Sequence, residues 1–393
     1  MTDIIYLDNS ATTALSERAK ASMSEAFENF GNPSSLHFAG TDAEKTLREA
    51  RRAVLSTLGV KAMRDEHDKQ LVFTSCGTEA SSLAIFGCAY AKKRREANRI
   101  ITTDSEHPSV EKALLRLCED GFEIVRIPTV SGVLDIKALE MALDKPIFMA
   151  SIMLVNNETG ALYDVKSAFE KIKRRYPDAI THCDAVQGYL KVRFTPASLG
   201  ADLVTLSAHK IHGPKGVGAL YIAPHMLKEK KIVPFLVGGD QEHGMRSGTE
   251  NVIGIAGFGA AAKEGYSGMA TAMPRVASLR DMAQEGISEL GCIKLNIPKG
   301  ARAPHVLNIT LPNIKSQTML NFLSAKGIYV SSGSACSSHS SRPSSTLLAF
   351  GLDAHQADCS LRISFSEYNK EEDVARLCEA LREGVETLVK IKR

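Results

Sequence analysis

The sequence predicts an α/β fold in which a large domain with a mostly parallel seven-stranded sheet precedes a smaller α/β domain. Three observations support this prediction. The chain has 393 residues, enough for two hydrophobic cores. From about residue 70, short β-rich runs alternate with helical stretches, a pattern typical of parallel strands joined by helices. After about residue 250 the pattern changes to a long helical region (252–290) followed by short strands.

Seven β-rich runs supply the predicted large sheet. They are LVFT (71–74), IITT (100–103), FEIVRI (122–127), FMASIMLV (148–155), AITHC (179–183), LVTLS (203–207) and VGALYI (217–222). Helical patterns begin at Thr78 and near Ser109, and another spans 136–143. Sheets of this kind bind ligands at the carboxyl ends of their strands, so residues just after these runs are candidates for a site.

The smaller domain is predicted from the segments that follow the long helical region. These are VLNITL (306–311), a helix near 317–326, IYVS (328–331), LRISF (361–365) and a terminal helix. We assign residues 15–265 to the large domain and residues 1–14 with 266–393 to the small domain. The serine-rich run that contains SSGSACSS (331–338) is predicted to be a loop over about 331–345, because residues this small and polar do not pack a core.

Composition and charge exclude several classes of protein. The 48 basic and 45 acidic residues give a net charge of +3, so neither nucleic acid nor a membrane surface is predicted as a partner. The longest apolar runs, such as 147–155 and 253–262, are too short to span a membrane. Eight scattered cysteines without a CxxC motif predict reduced thiols, with no disulfides and no metal site. No signal peptide is recognisable, so a cytoplasmic location is expected.

A lysine follows one of the predicted strands directly. The stretch SAHKIHGPKGVGALYI places Lys210 between His209 and His212, just before a glycine-rich turn. Most lysines are solvated surface residues. A lysine at the end of a buried strand is partly desolvated, however, and an amine of that kind is a candidate Schiff-base nucleophile.

Other polar residues follow neighbouring strands. They are Gly77 and Thr78 in TSCGTE, His107 in SEHPS, Asn157 in VNNETG, and Asp184 and Gln187 in HCDAVQ. Asp184 could cap a helix or pair with a cationic ring nitrogen, and the N–H groups at Gly77 and Thr78 suit a phosphate. The flat ring of His107 could stack on a ligand or transfer protons. Each feature alone is more often structural, but together they describe a pyridoxal-phosphate site.

A set of motifs spread over nearly the whole chain indicates a family. The motifs are YLDNSATT (6–13), FGNPSSLH (30–37), TSCGTE (74–79), SEHPS (105–109), VNNETG (155–160), DAVQ (184–187), SAHKIHGPKGVGALY (207–221), GMRSGTEN (244–251) and SSGSACSS (331–338). With these motifs the chain resembles the cysteine desulfurases of the NifS/IscS type, within the class V aminotransferase-like, fold-type I pyridoxal-phosphate enzymes. The chain departs from the usual family pattern at Cys76, Asp240, His243 and Glu367, none of which is assigned to the chemistry.

The resemblance implies a role for each candidate residue. Lys210 would hold pyridoxal 5'-phosphate and move the Cα proton of the substrate, while His107 stacks on the ring and takes part in proton transfer. Asp184 would contact the ring nitrogen and Gln187 the phenolic oxygen, and Asn157 would also contact the cofactor. The phosphate would be bound by Gly77, Thr78, Ser207 and His209. Thr249 would reach the phosphate of the neighbouring subunit in a homodimer. Arg362, Asn157 and Asn32 would bind the substrate.

The implied reaction removes sulfur from L-cysteine, giving L-alanine and a persulfide on Cys336. The sulfur would pass to an acceptor protein such as an iron–sulfur scaffold or a thiolation protein, carried on a loop that we expect to be poorly ordered. The alternatives are a selenocysteine lyase or another class V enzyme in which Cys336 is incidental, and a non-catalytic scaffold. An aminotransferase leaves SSGSAC unexplained, and the intact set of Lys210, Asp184, His107 and Cys336 argues against a scaffold.

Overall fold

The computed structural model describes residues 4–61, 65–91, 97–333 and 343–389, so Cys336 and most of the predicted serine-rich loop lie outside the described residues. The strands are β1 (Ile5–Tyr6), β2 (Leu71–Thr74), β3 (Arg99–Thr103), β4 (Glu123–Ile127), β5 (Ile147–Met153), β6 (Ile180–Asp184), β7 (Leu203–Ser207), β8 (Gly218–Ile222), β9 (Lys294–Leu295), β10 (Val306–Thr310), β11 (Ile328–Tyr329) and β12 (Ser360–Ser364).

Helices alternate with these strands in the predicted order. They are α1 (Glu17–Glu28), α2 (Phe38–Thr57), α3 (Asp65–Asp68), α4 (Gly77–Ala91), α5 (Pro108–Glu119), α6 (Ile136–Ala142), α7 (Val165–Arg175), α8 (Pro196–Leu199), α9 (Pro224–Lys228), α10 (Val252–Ser288), α11 (Ser316–Ala325), α12 (Ser345–Phe350), α13 (Ala354–Asp358) and α14 (Glu371–Thr387). None of the helices in these described ranges is long and apolar enough to cross a membrane.

The large sheet has seven strands in the order β2-β8-β7-β6-β5-β3-β4. The prediction of a mostly parallel seven-stranded sheet is confirmed, because only β8 runs antiparallel to its neighbours β2 and β7. The connection from β7 to β8 contains a single short 3₁₀ turn, Ala208–Lys210, and no crossover helix. A connection without a crossover helix favours an antiparallel pair. Lys210 is therefore held in the turn between two central strands.

Helices cover both faces of this sheet, which explains why its central strands are so apolar. Every residue of β3, β6 and β7 is buried. Helix α5 buries one face only, through Val110, Ala113, Leu114 and Leu117. The sheet is thus a rigid, water-excluding base, and the polar residues that follow its strands are positioned by it.

The C-terminal part of the chain has its own hydrophobic core. A three-stranded antiparallel sheet, β12-β10-β9, and a parallel pair, β1 with β11, pack against the second half of α10 and against α11 and α14. Strand β1 joins this core, since Ile5 pairs with Ile328 and both are buried. Helix α10 contributes Phe258 to the larger core and Leu279 to the smaller one. The predicted domain boundaries themselves stay a prediction.

Candidate active site

A cavity of about 190 Å³ lies at the carboxyl ends of β5, β6 and β7. The sequence-predicted residues that line it are Gly77, Thr78, His107, Asn157, Asp184, Gln187, Ser207, His209, Lys210 and Arg362. They come from six separate stretches of the chain. The large sheet brings five of these together because its parallel strands end at the same edge, and Arg362 comes from β12.

Two of the predicted residues that the structure describes do not line this cavity. Asn32 and Thr249 are exposed and do not line it. The side-chain oxygen of Asn32 accepts a hydrogen bond from the backbone N–H of Ser34, 3.0 Å away. Cys336 lies outside the described residues. The roles assigned to these residues stay predictions.

Lys210 is positioned by the N-terminal segment of the chain. Its Nζ donates hydrogen bonds to the backbone carbonyl oxygens of Ser10 and of Ala11, the latter at 2.9 Å. The same segment is tied to the lysine turn by Thr13, whose N–H and hydroxyl both donate to the carbonyl oxygen of His209, at 2.9 and 3.0 Å. The amine is therefore held at the cavity by contacts that span about 200 residues of sequence.

Asp184 is the last residue of β6, and it is only 5% exposed. Its Oδ1 accepts a hydrogen bond from the N–H of Val186 at 3.0 Å. Burial raises the pKa of Asp184 to about 6, although the Val186 hydrogen bond and the charge of Lys210 oppose that rise. A cationic hydrogen-bond donor, such as a protonated ring nitrogen, would stabilise the carboxylate form of this buried group.

His107 caps the N-terminus of α5. Its Nδ1 accepts a hydrogen bond from the backbone N–H of Ser109 at 3.1 Å. Burial, and then the charge of Lys210, lowers the pKa of His107 to about 4. The ring is therefore neutral at pH 7, and because Nδ1 accepts a hydrogen bond, the ring proton is on Nε2.

The start of α4 offers groups that can bind a phosphate. The first N–H groups of a helix have no intrahelical partner, and α4 begins at Gly77. The hydroxyl of Ser207 is buried there without a hydrogen-bond partner in the described part of the chain. A Cβ on Gly77 would lie 3.0 Å from a methyl group of Val186, and its absence keeps the helix end open. The free N–H groups and the orphaned hydroxyl fit a phosphate.

Arg362 reaches the cavity from β12 in the smaller core. It is 1% exposed, and its guanidinium donates to the carbonyl oxygen of Asn157 at 3.0 Å and to Oδ1 of Asp8 at 2.9 Å. Its Nε has no hydrogen-bond partner among the described residues. A guanidinium held flat in this way, with a donor still available, suits a substrate carboxylate.

Several residues at this site were assigned no role from the sequence. Asp8 pairs with Arg362, and the carbonyl oxygen of Ser10 accepts from the side-chain amide of Gln187 at 2.9 Å. Glu106 is buried beside His107, accepts hydrogen bonds from Thr103 and Met153, and has a pKa raised to about 8 by burial. Asp8 and Ser10 belong to YLDNSATT, and that motif was the available signal for them.

Comparisons with known proteins identify the family of the chain. A model of the aminotransferase class-V family matches residues 5–377. A cysteine desulfurase of Nostoc sp. is 37% identical over 388 residues, covering 98% of this chain and 94% of that protein. The cysteine desulfurase NifS of Azotobacter vinelandii is 36% identical over 380 residues, covering 95% and 90%. The solved structure of a NifS-like protein has a TM-score of 0.89 at 34% identity, covering 98% of this chain and 100% of that one.

Proposed function

The chain belongs to the cysteine desulfurases of the class V aminotransferase family, and from this premise we propose how its own residues carry out the reaction. With pyridoxal phosphate held at Lys210, the protein removes sulfur from L-cysteine, and Cys336 accepts that sulfur as a persulfide. The observation that carries the proposal is the convergence of Lys210, Asp184, His107 and Arg362 on one cavity.

Pyridoxal phosphate, when bound, supplies an electron sink for negative charge at the substrate Cα. The chain holds it by groups already arranged around the cavity. Asp184 would keep a proton on the ring nitrogen, and Gln187 would contact the phenolic oxygen. The phosphate would take the orphaned hydroxyl of Ser207 and the first N–H groups of α4, at Gly77 and Thr78, with His209 and Asn157 nearby.

A residue of the smaller core, Arg362, would orient the substrate. Arg362 would bind the carboxylate of L-cysteine through its Nε, which has no hydrogen-bond partner among the described residues. Asn157, whose carbonyl oxygen accepts from Arg362, would also contact the substrate. Lys210 would take the Cα proton and later return it. His107, neutral with its proton on Nε2, would stack on the ring and donate a hydrogen bond from Nε2 to the reacting groups.

The sulfur step balances without an external oxidant or reductant. The Cys336 thiolate attacks the substrate sulfur, an S–S bond forms, and the bond between the substrate Cβ and its sulfur breaks. The electron pair of that bond and one proton remain with the three-carbon product, which leaves as L-alanine. The persulfide sulfur then passes to the thiol of an acceptor protein, such as an iron–sulfur scaffold or a thiolation protein.

Mass spectrometry of the holoenzyme tests this function. After exposure to L-cysteine without a reductant, we expect the peptide that contains Cys336 to carry one added sulfur atom, with one alanine formed for each sulfur added. Release of alanine with no sulfur on Cys336 would assign the acceptor role to another group. No alanine at all, from protein that shows the cofactor absorbance band, would contradict the proposed reaction.

We further propose that the working form is a homodimer. The end of α1 and the segment after it expose large apolar side chains, namely Phe27, Phe30, Leu36 and Phe38 at 63, 89, 97 and 90%. Contiguous apolar surface of this kind is rare on monomers and favours an interface. Asn32 lies within this exposed segment, and Thr249 is exposed away from the cavity. In a two-fold dimer, Asn32 and Thr249 of each copy would lie near the active site of the other copy.

Mixing two inactive variants tests whether Thr249 acts across the dimer. Lys210→Ala and Thr249→Asp are each expected to have little activity alone. If Thr249 serves the neighbouring site, a mixed dimer contains one intact site, so an equal mixture that has exchanged subunits should recover about a quarter of wild-type activity. A mixture that remains as inactive as its components, although exchange has occurred, would place Thr249 at its own chain's site.

A further inference from the structure

A second cavity, of about 390 Å³, lies beside the candidate active site. The N-terminal segment runs between the two, because Asn9 and Thr13 line the second cavity whereas Ser10 and Ala11 line the first. Helix α10 supplies a wall of small and apolar residues, which include Ala261, Gly265, Gly268, Met269, Ala272 and Met273. A volume of this size is typical of sites that bind small molecules.

Three buried polar atoms of the second cavity have no hydrogen-bond partner among the described residues. They are Nζ of Lys191, Nδ1 of His305 and Oε2 of Glu264. The candidate active site also has three such atoms, and there the cofactor and the substrate are proposed to pair with them. Because buried polar groups in folded proteins are nearly always paired, the three atoms of the second cavity indicate a ligand as well.

His305 offers an acceptor to such a ligand. Its side chain is 1% exposed, and its Nε2 lies 3.5 Å from Oε1 of Gln187, whose amide nitrogen donates to the carbonyl oxygen of Ser10. Since an amide oxygen only accepts, the ring proton of His305 is on Nε2. Burial, and then the charge of Lys191, lowers the pKa of His305 well below its ordinary value, so the ring is neutral. Its Nδ1 is therefore an acceptor.

Lys191 offers the opposite kind of group, a cationic donor. Burial lowers the pKa of its amine to about 8, although the charge of Glu367 opposes the decrease, so most molecules carry this charge at pH 7. The carboxylate of Glu367 pairs instead with His212, with 3.4 Å between Oε2 and Nε2. A buried ammonium group without a partner is costly, and the carboxylate of a ligand would offset that cost.

Glu264, on α10, offers a second acceptor. Its Oε1 lies 3.7 Å from Nε of Arg18, while its Oε2 is buried without a hydrogen-bond partner in the described ranges. Arg275, which also lines the cavity, donates to the carbonyl oxygens of Glu367 and Asn369 at 2.6 and 2.7 Å. The three unpartnered atoms thus comprise one cationic donor and two acceptors, one of which belongs to a carboxylate.

We propose that the second cavity binds a small neutral α-amino acid. Its carboxylate would accept from Lys191 and its ammonium group would donate to His305 and Glu264, so each unpartnered atom gains a partner of the kind that it needs. Its side chain would lie against the apolar wall of α10. L-alanine belongs to this class and would be released in the adjacent cavity. Naming L-alanine rests on the proposed function, whereas the class of ligand does not.

Calorimetry on the holoenzyme tests this site, after borohydride has fixed the cofactor to Lys210 so that an added amino acid cannot react with it. We expect one L-alanine to bind per chain. Propionate, which lacks the ammonium group, should bind at least about tenfold more weakly, because charge-assisted hydrogen bonds are lost. Lys191→Met keeps an unbranched side chain without its charge, and it should weaken the binding of L-alanine by about tenfold or more.

Three further variants locate the bound amino acid. Lys263→Met removes an exposed lysine of α10 and should match wild type. Arg362→Lys alters the candidate active site but keeps its charge, and it should leave the affinity for L-alanine within about twofold of wild type. Glu264→Gln, at a half-buried position of α10, should weaken binding about threefold or more. It also serves as the main test if Lys191→Met does not fold.

Wild-type protein that binds no L-alanine would overturn the inference. Binding that is lost in Arg362→Lys but kept in Lys191→Met would overturn it too, since the amino acid would then occupy the candidate active site. Tighter binding of L-cysteine than of L-alanine would overturn the choice of L-alanine within the class. A cofactor that borohydride does not fix would contradict the proposed function instead, and the same titrations of that protein would still test the second cavity.

Discussion

Cys336→Ala is expected to lower sulfide release from L-cysteine at least about 10³-fold, because removal of a covalent nucleophile leaves no group to accept the sulfur. The variant should keep its cofactor absorbance and should show the same absorbance change on binding L-cysteine. In the proposed reaction these earlier events depend on Lys210, Asp184, His107 and Arg362, which all line the cavity. Sulfide assays with a thiol reductant and rapid-mixing absorbance together check this prediction.

Cys76→Ala is the matched control. Cys76 lines the same cavity, just before α4 begins. Among the described cysteines it is therefore the one whose thiol could react with a bound substrate. The control should retain most of the wild-type activity. If Cys76→Ala lost sulfide release while Cys336→Ala retained it, the sulfur would be accepted inside the cavity, and the assignment of Cys336 would be wrong.

Lys210→Arg should abolish turnover, again at least about 10³-fold, since in the proposed reaction both covalent attachment of the cofactor and transfer of the Cα proton depend on the Lys210 amine. Arginine keeps the positive charge and can still donate to the carbonyl oxygens of Ser10 and Ala11, so the turn should stay intact. The absorbance band of the covalently attached cofactor should disappear, and borohydride should no longer fix the cofactor to the protein.

Lys191 provides the comparison for that experiment. Lys191 is a half-buried lysine near the site whose amine is itself buried, and burial lowers its pKa to about 8. Lys191 and Lys210 both line the second cavity beside the candidate site. Lys191→Met is expected to keep the covalent cofactor. If borohydride fixed the cofactor to Lys191 in the wild-type protein, Lys210 would not be the attachment site.

The large sheet was predictable because its strands are strongly marked in the sequence. Runs such as LVTLS are buried on both faces and are bounded by polar or glycine-rich turns, so their positions agree with the structure to within about two residues. Strands β1 and β9 were not predicted. Each has two residues, and pairing this short is determined by distant partners such as Ile328 rather than by local preference.

The candidate site was predictable to the extent that it follows strand ends. Asp184 and Ser207 are the last residues of β6 and β7, Lys210 lies in the turn after β7, and the topology alone brings them to one edge. The pair of Asp8 with Arg362 joins residues 354 positions apart, and no local pattern indicates such a contact.

The N-terminal segment has a consequence for how the chain is made. Residues 5–13 leave the ribosome well before their partners, which follow hundreds of residues later in the sequence: Ile5 pairs with Ile328, Asp8 with Arg362, and Asn9 with the carbonyl of Ser364. At about 5–20 residues per second, the first segment waits on the order of a minute or less for these partners. A nascent chain can complete its large sheet before β12 is made, but it lacks Arg362, the proposed partner of the substrate carboxylate, until that strand has been synthesised. The proposed substrate site is therefore complete only after β12 has paired with the N-terminal segment.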